Sequence, residues 1–475
     1  MNYEVIIGIE IHCELKTKTK MFSGAPVLFG APANTCVNEI DLGHPGAMPC
    51  VNRQAVAMAV QACTALNMEI DPLVRFDRKN YYYSDLPKGF QITQQFHPIG
   101  RNGHIEIETE EGTKTIRIER LHMEEDTAKQ FHYDVGTLID FNRAGTPLVE
   151  IVSCPDIRSG KEAMAYVEKL RTTLYYLGVS DVKMEEGSMR CDVNISLRPQ
   201  GSSEFGVKTE IKNLNSISNV QKAVEYEIER QSQILDQGGQ VIQETRRFDE
   251  ATRTTVSMRK KEGAVDYKYF PEPNIFPIRL DEAWIRSLQQ AMPEMPEVRQ
   301  KRYQTLGLPD SDVRLLVANK DLADIYDQVI QHTDNARIAA NWVIVELTAA
   351  LTKRNLKLSE NPARPQDVAS LVDMIVAGDI SGKQAKVLFE EVMEGHDPKQ
   401  VAEQKGMKQL SDSSALLELI NQVLDEQPQS ITDYKNGKDR AVGFLVGQVM
   451  KKSRGQANPA MTNQLIVQEL KKRIG

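Results

Sequence analysis

The first half of the chain is written in alternation. Read as a strand, GIEIHCEL (residues 8–15) sets Glu10, His12 and Glu14 on one face and Ile9, Ile11, Cys13 and Leu15 on the other. MRCDVNISL (189–197) repeats the arrangement, with Arg190, Asp192, Asn194 and Ser196 opposite Cys191, Val193, Ile195 and Leu197. VKTEIKN (207–213) sets Lys208, Glu210 and Lys212 against Val207, Thr209 and Ile211. HIEIETEEGTKTIRIERLHM predicts two further strands around a turn at residues 111–112, and PLVEIVS predicts another. Helical spacing recurs at 53–66, 160–177 and 216–235. Strands linked by short turns, with helices grouped between them, predict an α+β fold with a largely antiparallel sheet.

The pattern changes near residue 290. PEPNIFPIRL carries three prolines in seven residues, PEMPE follows a short helical stretch, and everything beyond reads as helix. Start signals stand at Asp310 or Ser311, Asp334, Pro365, Ser381 and Asp397, and residues 335–351 form the most apolar of these helices, as expected of a bundle core. Charge then divides the helical part. Residues 411–433 hold five acids and no Lys or Arg, whereas residues 435–475 hold nine Lys or Arg against Asp439 and Glu469. Three domains are predicted: a sheet-containing domain at 1–292, a helical domain at 293–408 and a small helical tail at 409–475. In the tail, an apolar stripe of Val442, Leu445, Val446, Val449 and Met450 leads into Lys451, Lys452 and Arg454. Such a basic end suits a phosphate backbone, or simply complements the helix dipole.

A net charge of −8 over 475 residues excludes a uniformly basic nucleic-acid coat, but not this local patch. The six cysteines form no CxxC pair, and MNYEVIIGIEIH lacks a basic segment followed by an apolar one. No apolar run approaches the length of a membrane span. These features predict a reduced, cytoplasmic chain with no membrane span.

The strands also carry candidate chemistry. LHMEEDTAK supplies Glu124, Glu125 and Asp126 in succession. If the strands are neighbours, one face gathers several carboxylates and an imidazole. Two carboxylates about 6 Å apart repel by about 3 kcal/mol at an effective dielectric of about 20. A solvated face carries little of that cost, so the pattern leaves two readings: ordinary surface, or a concave site neutralised by a cation. Oxygen ligands with one imidazole suit Mg²⁺ or Mn²⁺ better than Zn²⁺. Glu10 and Glu14 stand about 13 Å apart along a strand. His12 is therefore grouped with Glu10 and with carboxylates from other segments, and Glu14 is assigned to a salt bridge.

RKNYYYSDLPKGFQITQQ (78–95) sets Lys79 and Lys88 near Tyr81 and Tyr83, a combination that can hold phosphates and stack a base, or form a surface turn with snorkelling lysines. In IDFNRAGTPLVEIV (139–152), Glu150 sits among apolar neighbours and needs a partner, which a hairpin with a buried ion pair would also provide. The chain has no GxxxxGK[ST], GxGxxG or GxSxG motif.

GIEIHCEL, RKNYYYSDLPKGFQITQ, HMEEDTAK, DFNRAGTPLVEIV and DYKYFPEP, in this order, closely resemble the GatB family, the B subunits of aspartyl/glutamyl-tRNA amidotransferases. The C-terminal LVGQVMKKSRGQANPAMTNQLIVQELKK resembles that family's YqeY-like tail. The resemblance implies a cradle domain with a kinase-like site, a helical domain and a tRNA-gripping tail. It also implies ATP-dependent phosphorylation of the side-chain carboxylate of misacylated Glu-tRNA(Gln) or Asp-tRNA(Asn). Ammonia from a partner amidase, GatA, then displaces the phosphate, and GatC is the small third subunit. Carried onto this sequence, it implies metal binding by Glu10, His12, Glu124, Glu125, Asp192 and Glu210, with Mg²⁺ or Mn²⁺ as the ion. Catalytic roles fall to His12 and Glu125, and phosphate contacts to Lys79, Lys88 and Arg190. Tyr81 and Tyr83 are nucleotide contacts. Many members hold structural zinc with four cysteines; the matching residues here are Ser23, Ala25, Asn38 and Asp41, so the expectation is no zinc and a loop held by packing. The rival readings are the archaeal relative GatE, whose synthetase-like insertion has no room here, and a tRNA-binding scaffold with a vestigial metal site.

Overall fold

The computed structural model describes residues 3–260, 266–407, 413–438, 440–453 and 457–474. The chain divides into two compact units, Met1–Pro296 and Glu297–Gly475.

The first unit is built on nine strands: β1 (Tyr3–Glu14), β2 (Glu69–Ile70), β3 (Gly100–Thr109), β4 (Gly112–Glu125), β5 (Pro147–Ser153), β6 (Met189–Pro199), β7 (Thr209–Lys212), β8 (Glu244–Asp249) and β9 (Thr254–Lys260). Their order is β9-β8-β7-β6-β1-β5-β4-β3-β2. The pairing of β7 with β8 is parallel and the others are antiparallel. The alternation in the sequence has its physical counterpart at the centre. Ile7, Ile9, Ile11 and Cys13 of β1 are fully buried beside Ile151, Leu121, Val193 and Ile195 of the flanking strands.

Helices α1 (Arg53–Ala65), α2 (Gly160–Leu177) and α3 (Ile217–Asp236) contribute to that core. Each opens on a capping side chain: Asn52 accepts from the amides of Gln54 and Ala55, Ser159 from Glu162 and Ser216 from Asn219. Each fully buried aliphatic side chain contributes about 1.5–3 kcal/mol. With one face so committed, the polar residues of β1, β4, β5, β6 and β7 are gathered on the other. Three smaller β structures are described in this unit: Asp77–Asn80 paired with Phe90–Thr93 and Phe270–Pro271, Leu73–Val74 paired with Ile278–Arg279, and a hairpin of Lys129–Tyr133 and Gly136–Asp140.

The second unit is helical among its described residues. Three predicted starts hold, with Ser381 capping Gly382–Val392, Asp397 capping Pro398–Gln404 and Pro365–Val376 beginning on its proline, while Pro309 precedes Asp310–Ala318 and Asn335 precedes Ala336–Asn341. The apolar stretch 335–351 departs from a uniform helix. Trp342–Leu347 is a π-helical turn between Ala336–Asn341 and Thr348–Lys353, with Trp342, Val343 and Leu347 buried in the core. A separate core joins Ser413–Glu426, Arg440–Lys452 and Pro459–Ile474 through Ile420, Leu424, Leu445, Val449, Ile466 and Leu470. Of the predicted stripe, Val442, Leu445 and Val449 are buried, while Val446 and Met450 are half-buried. Arg454 and Asp439 lie outside the described residues. No helix among the described residues is long and apolar enough to cross a membrane.

Candidate metal centre

Register builds the site around β1. Glu150 of β5 pairs with His12, Asp192 of β6 with Glu10, and Arg190 with His12 on its other side. One strand further, His122 of β4 pairs with Glu150. Alternation brings these residues, and Glu124 two places after His122, onto the face opposite the helices. His12 Nε2 lies 3.4 Å from Glu150 Oε2 and 3.7 Å from Glu124 Oε1. His122 Nε2 approaches the same carboxylates, at 3.1 Å from Glu150 and 3.7 Å from Glu124. Ligand atoms of His12, Glu124 and Glu150 all fall within 4.8 Å of one another.

Burial works against charge on both imidazoles, but the carboxylates outweigh it. His12 is held above the ordinary histidine range and His122 is pushed up to about 9. Burial also raises the Glu150 carboxyl, and the two imidazoles more than reverse this, leaving it well below the usual carboxylate range. Glu124 is only 3% exposed. Among the described residues, the ion-pair partners of Glu124 and Glu150 are these two imidazoles. A buried and a half-buried carboxylate with one imidazole form a donor set that fits Mg²⁺ or Mn²⁺. His122 then holds the outer side of both carboxylates, as second-layer partners of metal ligands do.

His12 opens onto a cleft of about 1030 Å³ whose walls carry Lys129, Arg143, Arg190, Lys212 and Arg247, which outnumber the carboxylates Glu185, Glu186 and Asp192. That size is suited to a nucleotide-sized ligand, and the cations suit an anionic one.

The other sequence-derived residues divide around this triad. Glu10 lies beside it and accepts from Asn194 Nδ2 at 2.9 Å; burial, then Glu150 and Asp192, raise its carboxyl. Asp192 and Glu210 share the Lys212 ammonium at 2.6 and 3.2 Å. Arg190 donates to Asp126 at 2.8 Å and lines the cleft. Glu125 is turned away from the triad. It follows Glu124 in the strand and accepts from Lys88 Nζ at 2.6 Å and from the Ile92 amide at 3.0 Å, so Lys88 is engaged there. Lys79 Nζ sits 5.6 Å from the Tyr81 ring and 5.0 Å from the Tyr267 ring, with Tyr83 on the far side of Tyr81.

Tyr81 is raised by burial, then by Asp85 and Glu124. Tyr269 is pushed up to about 12 by burial, then by Tyr267, Glu150 and Glu124, so these rings border the carboxylates. Among the described residues Glu14 has no salt-bridge partner within reach, unlike the prediction. Burial, then the Asp126 carboxyl, push it up to about 7, against the weaker pull of Arg190 and Arg143.

Sequence reasoning left Glu150 and His122 out of the ligand set. His122 shares the alternation of Glu124 and was there to be read; Glu150 needed the register between β1 and β5. Tyr267 and Tyr269 lie in DYKYFPEP, far from Tyr81 in the chain.

The loop expected to be held by packing is held differently. Ser23 Oγ donates to Asp41 Oδ1 at 2.7 Å, Lys20 Nζ reaches Asp41 Oδ2 at 3.2 Å, and the Asn38 side chain accepts from the Ile40 and Asp41 amides. The Ala25 amide donates to Ser23 Oγ at 3.3 Å. Lys20 is fully buried, so a buried ion pair with its hydrogen bonds organises this loop.

Comparison with known proteins follows the same division. The GatB/GatE catalytic domain matches residues 5–286, which contain the whole site, and the GatB domain matches residues 324–470. The chain belongs to the GatB family. The B subunit of the aspartyl/glutamyl-tRNA(Asn/Gln) amidotransferase of Geobacillus thermodenitrificans is 52% identical over 476 residues, covering 100% of both chains. Its counterpart from Staphylococcus carnosus is 52% identical over 475 residues, again across 100% of both. GatB membership is thus carried by the full length of the chain.

Proposed function

We propose that this chain is the B subunit of a glutamine-dependent tRNA amidotransferase. Its first unit activates the side-chain carboxylate of misacylated Glu-tRNA(Gln) or Asp-tRNA(Asn) with ATP. The carrying observation is the His12–Glu124–Glu150 triad, with Glu124 buried and the other two half-buried, opening on a cleft of about 1030 Å³ with five cationic side chains in its lining. In the first step the substrate carboxylate bonds to the terminal phosphorus and ADP leaves. In the second, ammonia bonds to the acyl carbon, phosphate leaves and the nitrogen gives up a proton.

Both steps crowd anions together. A bound Mg²⁺ or Mn²⁺ supplies charge neutralisation at the phosphates, held by His12, Glu124 and Glu150. Arg190, Arg143 and Lys129 draw the polyanion into the cleft. Glu10, Asp192 and Glu210 form a second acidic group, partly neutralised by Lys212. Lys79, seated between Tyr81 and Tyr267, is a phosphate contact at the aromatic rim.

Ammonia comes from an amidase partner, GatA, with GatC as the small third component, in the cytoplasm. The two separate cores of the second unit support a helical domain at 293–408 and a tRNA-binding tail at 409–475. The test is amidation of misacylated tRNA with ATP and ammonium chloride in place of glutamine. Activity that survives without glutamine and disappears in His12→Ala and Glu150→Gln is the expected result; full-rate amidation by both variants would place the chemistry elsewhere.

A further inference from the structure

The turn that carries Arg143 into the cleft wall is held by a distant loop. Residues 141–146 link the Gly136–Asp140 strand to β5, and their contacts run back to residues 20–41. The Phe141 amide donates to Asn34 Oδ1 at 2.8 Å. Asn142 accepts from the Cys36 amide at 2.7 Å and donates to the Pro32 carbonyl at 2.8 Å. The Met21 amide donates to the Gly145 carbonyl, also at 2.8 Å.

The buried Lys20–Asp41 pair sits against the same turn. Lys20 Nζ lies 3.2 Å from Asp41 Oδ2 and 3.5 Å from the Phe141 carbonyl oxygen. Gly145 has a φ of +85°, and a β-carbon on it would lie 3.0 Å from Asp41 Oδ1 and 3.3 Å from Lys20 Cδ. Glycine alone adopts that backbone angle at no cost and leaves the space the ion pair occupies. Ser23 Oγ and the Asn38 amide donate to the two Asp41 oxygens at 2.7 and 3.1 Å, so the carboxylate has a fixed direction. Apolar side chains would fill the space as well, and a buried ion pair rarely adds stability over them. Its use here lies in what it orients.

The oriented group is Arg143. Its Nε donates to the Thr127 carbonyl at 2.9 Å and its Nη2 to the Ala128 carbonyl at 3.1 Å, which together fix the plane of the guanidinium. Asp126, 3.6 Å from Nε, already accepts from Arg190. Nη1 has no acceptor among the described residues, and Arg143 lines both the cleft around His12 and an adjoining hollow of about 290 Å³. A guanidinium fixed in plane with donors left over suits a phosphate oxygen. We infer that Lys20 and Asp41 are positioning residues for Arg143: through the turn at 141–146 they hold its guanidinium where it meets the phosphates of ATP. This rests on the proposed ATP-dependent function, and adds to it a buried pair that touches no substrate.

The test is a double-mutant cycle in the full complex, read as KM for Mg²⁺–ATP and kcat of ammonium-dependent amidation. Arg143→Ala should raise KM about tenfold or more, the size of one charge-assisted hydrogen bond, with a smaller change in kcat. Lys20→Met combined with Asp41→Leu leaves no buried charge unpaired and should raise KM by a comparable factor. Added to Arg143→Ala, this pair replacement should raise KM no further, because the three residues act as one unit. Should the pair replacement fail to fold, Ser23→Ala carries the test: it loosens Asp41 without removing either charge and should raise KM about threefold. A merely structural pair would lower the folded fraction, cutting kcat at unchanged KM, and that result overturns the positioning role. So does a KM that climbs further when the variants are combined, or one unchanged in Arg143→Ala. A wild-type complex that neither binds Mg²⁺–ATP nor amidates would instead sink the ATP-dependent function itself, and the positioning role with it.

Discussion

The polar face of the sheet and the C-terminal helices treat charge in opposite ways. On the sheet, buried Glu124 and half-buried Glu150 lie together with imidazoles as their ion-pair partners, and Glu10, Asp192 and Glu210 stand close by. In the tail, the acidic and basic stretches that look separate in sequence meet as ordinary pairs at the surface. Lys452 lies 2.5 Å from Glu426, and Arg473 2.6 Å from Asp425. Exposed opposite charges satisfy one another and contribute about 0–1 kcal/mol. Buried like charges cannot, and their proximity persists only with protons or a cation among them. The sheet therefore reads as a site, whereas a charge switch such as the tail's is in part its own internal glue.

The contrast can be broken most sharply at the triad. Glu150→Gln or His12→Ala should lower ammonium-dependent amidation on the order of a hundredfold or more, the scale of losing one preorganised electrostatic group. Steady-state rates at saturating Mg²⁺ measure it.

The buried pair of the loop comes next. Lys20→Ala strands Asp41 and should destabilise the first unit by about 3–5 kcal/mol, with replacement of both partners by apolar residues costing less. Denaturant unfolding of the two variants checks the order.

Titration gives a smaller, signed effect. His12 and His122 are both raised by the neighbouring carboxylates, so a metal ion coordinating His12 competes with a proton held more firmly than on a free imidazole. Metal affinity should rise with pH through the raised His12 value and fall below it. Without metal, the stability due to His122 is fully present below about 6.5, its unfolded value, and is lost as pH climbs through about 9. Calorimetry in buffers of different ionisation enthalpy reads the proton release.

The tail should give the smallest change in stability. Lys452→Ala should cost under about 1 kcal/mol and lower tRNA affinity mainly at low salt, with a shallower salt slope.

Much of this arrangement was legible beforehand, for a physical reason. Alternation fixes which residues share a face, so His12, Glu124, Asp192 and the apolar backs of β1 and β6 could be read from spacing alone. The same rule separates neighbours, and it already set Glu125 on the opposite side from Glu124. Alternation does not say which strands lie side by side. Placing Glu150 against His12 needed the register of β1 on β5, set by contacts some 140 residues apart in the chain. The π-helical turn at Trp342 was equally hidden, because the apolar spacing of 335–351 reads as one continuous helix.

The most direct measurement is Mn²⁺ binding to the metal-stripped full chain, followed by electron paramagnetic resonance. Mn²⁺ should bind, be displaced by Mg²⁺, show coupling to an imidazole nitrogen that vanishes in His12→Ala, and bind far more weakly in a Glu124→Gln, Glu150→Gln double variant. Mn²⁺ that stays free in the wild type, or binds the double variant equally well, would contradict the assignment of this buried cluster as a metal centre.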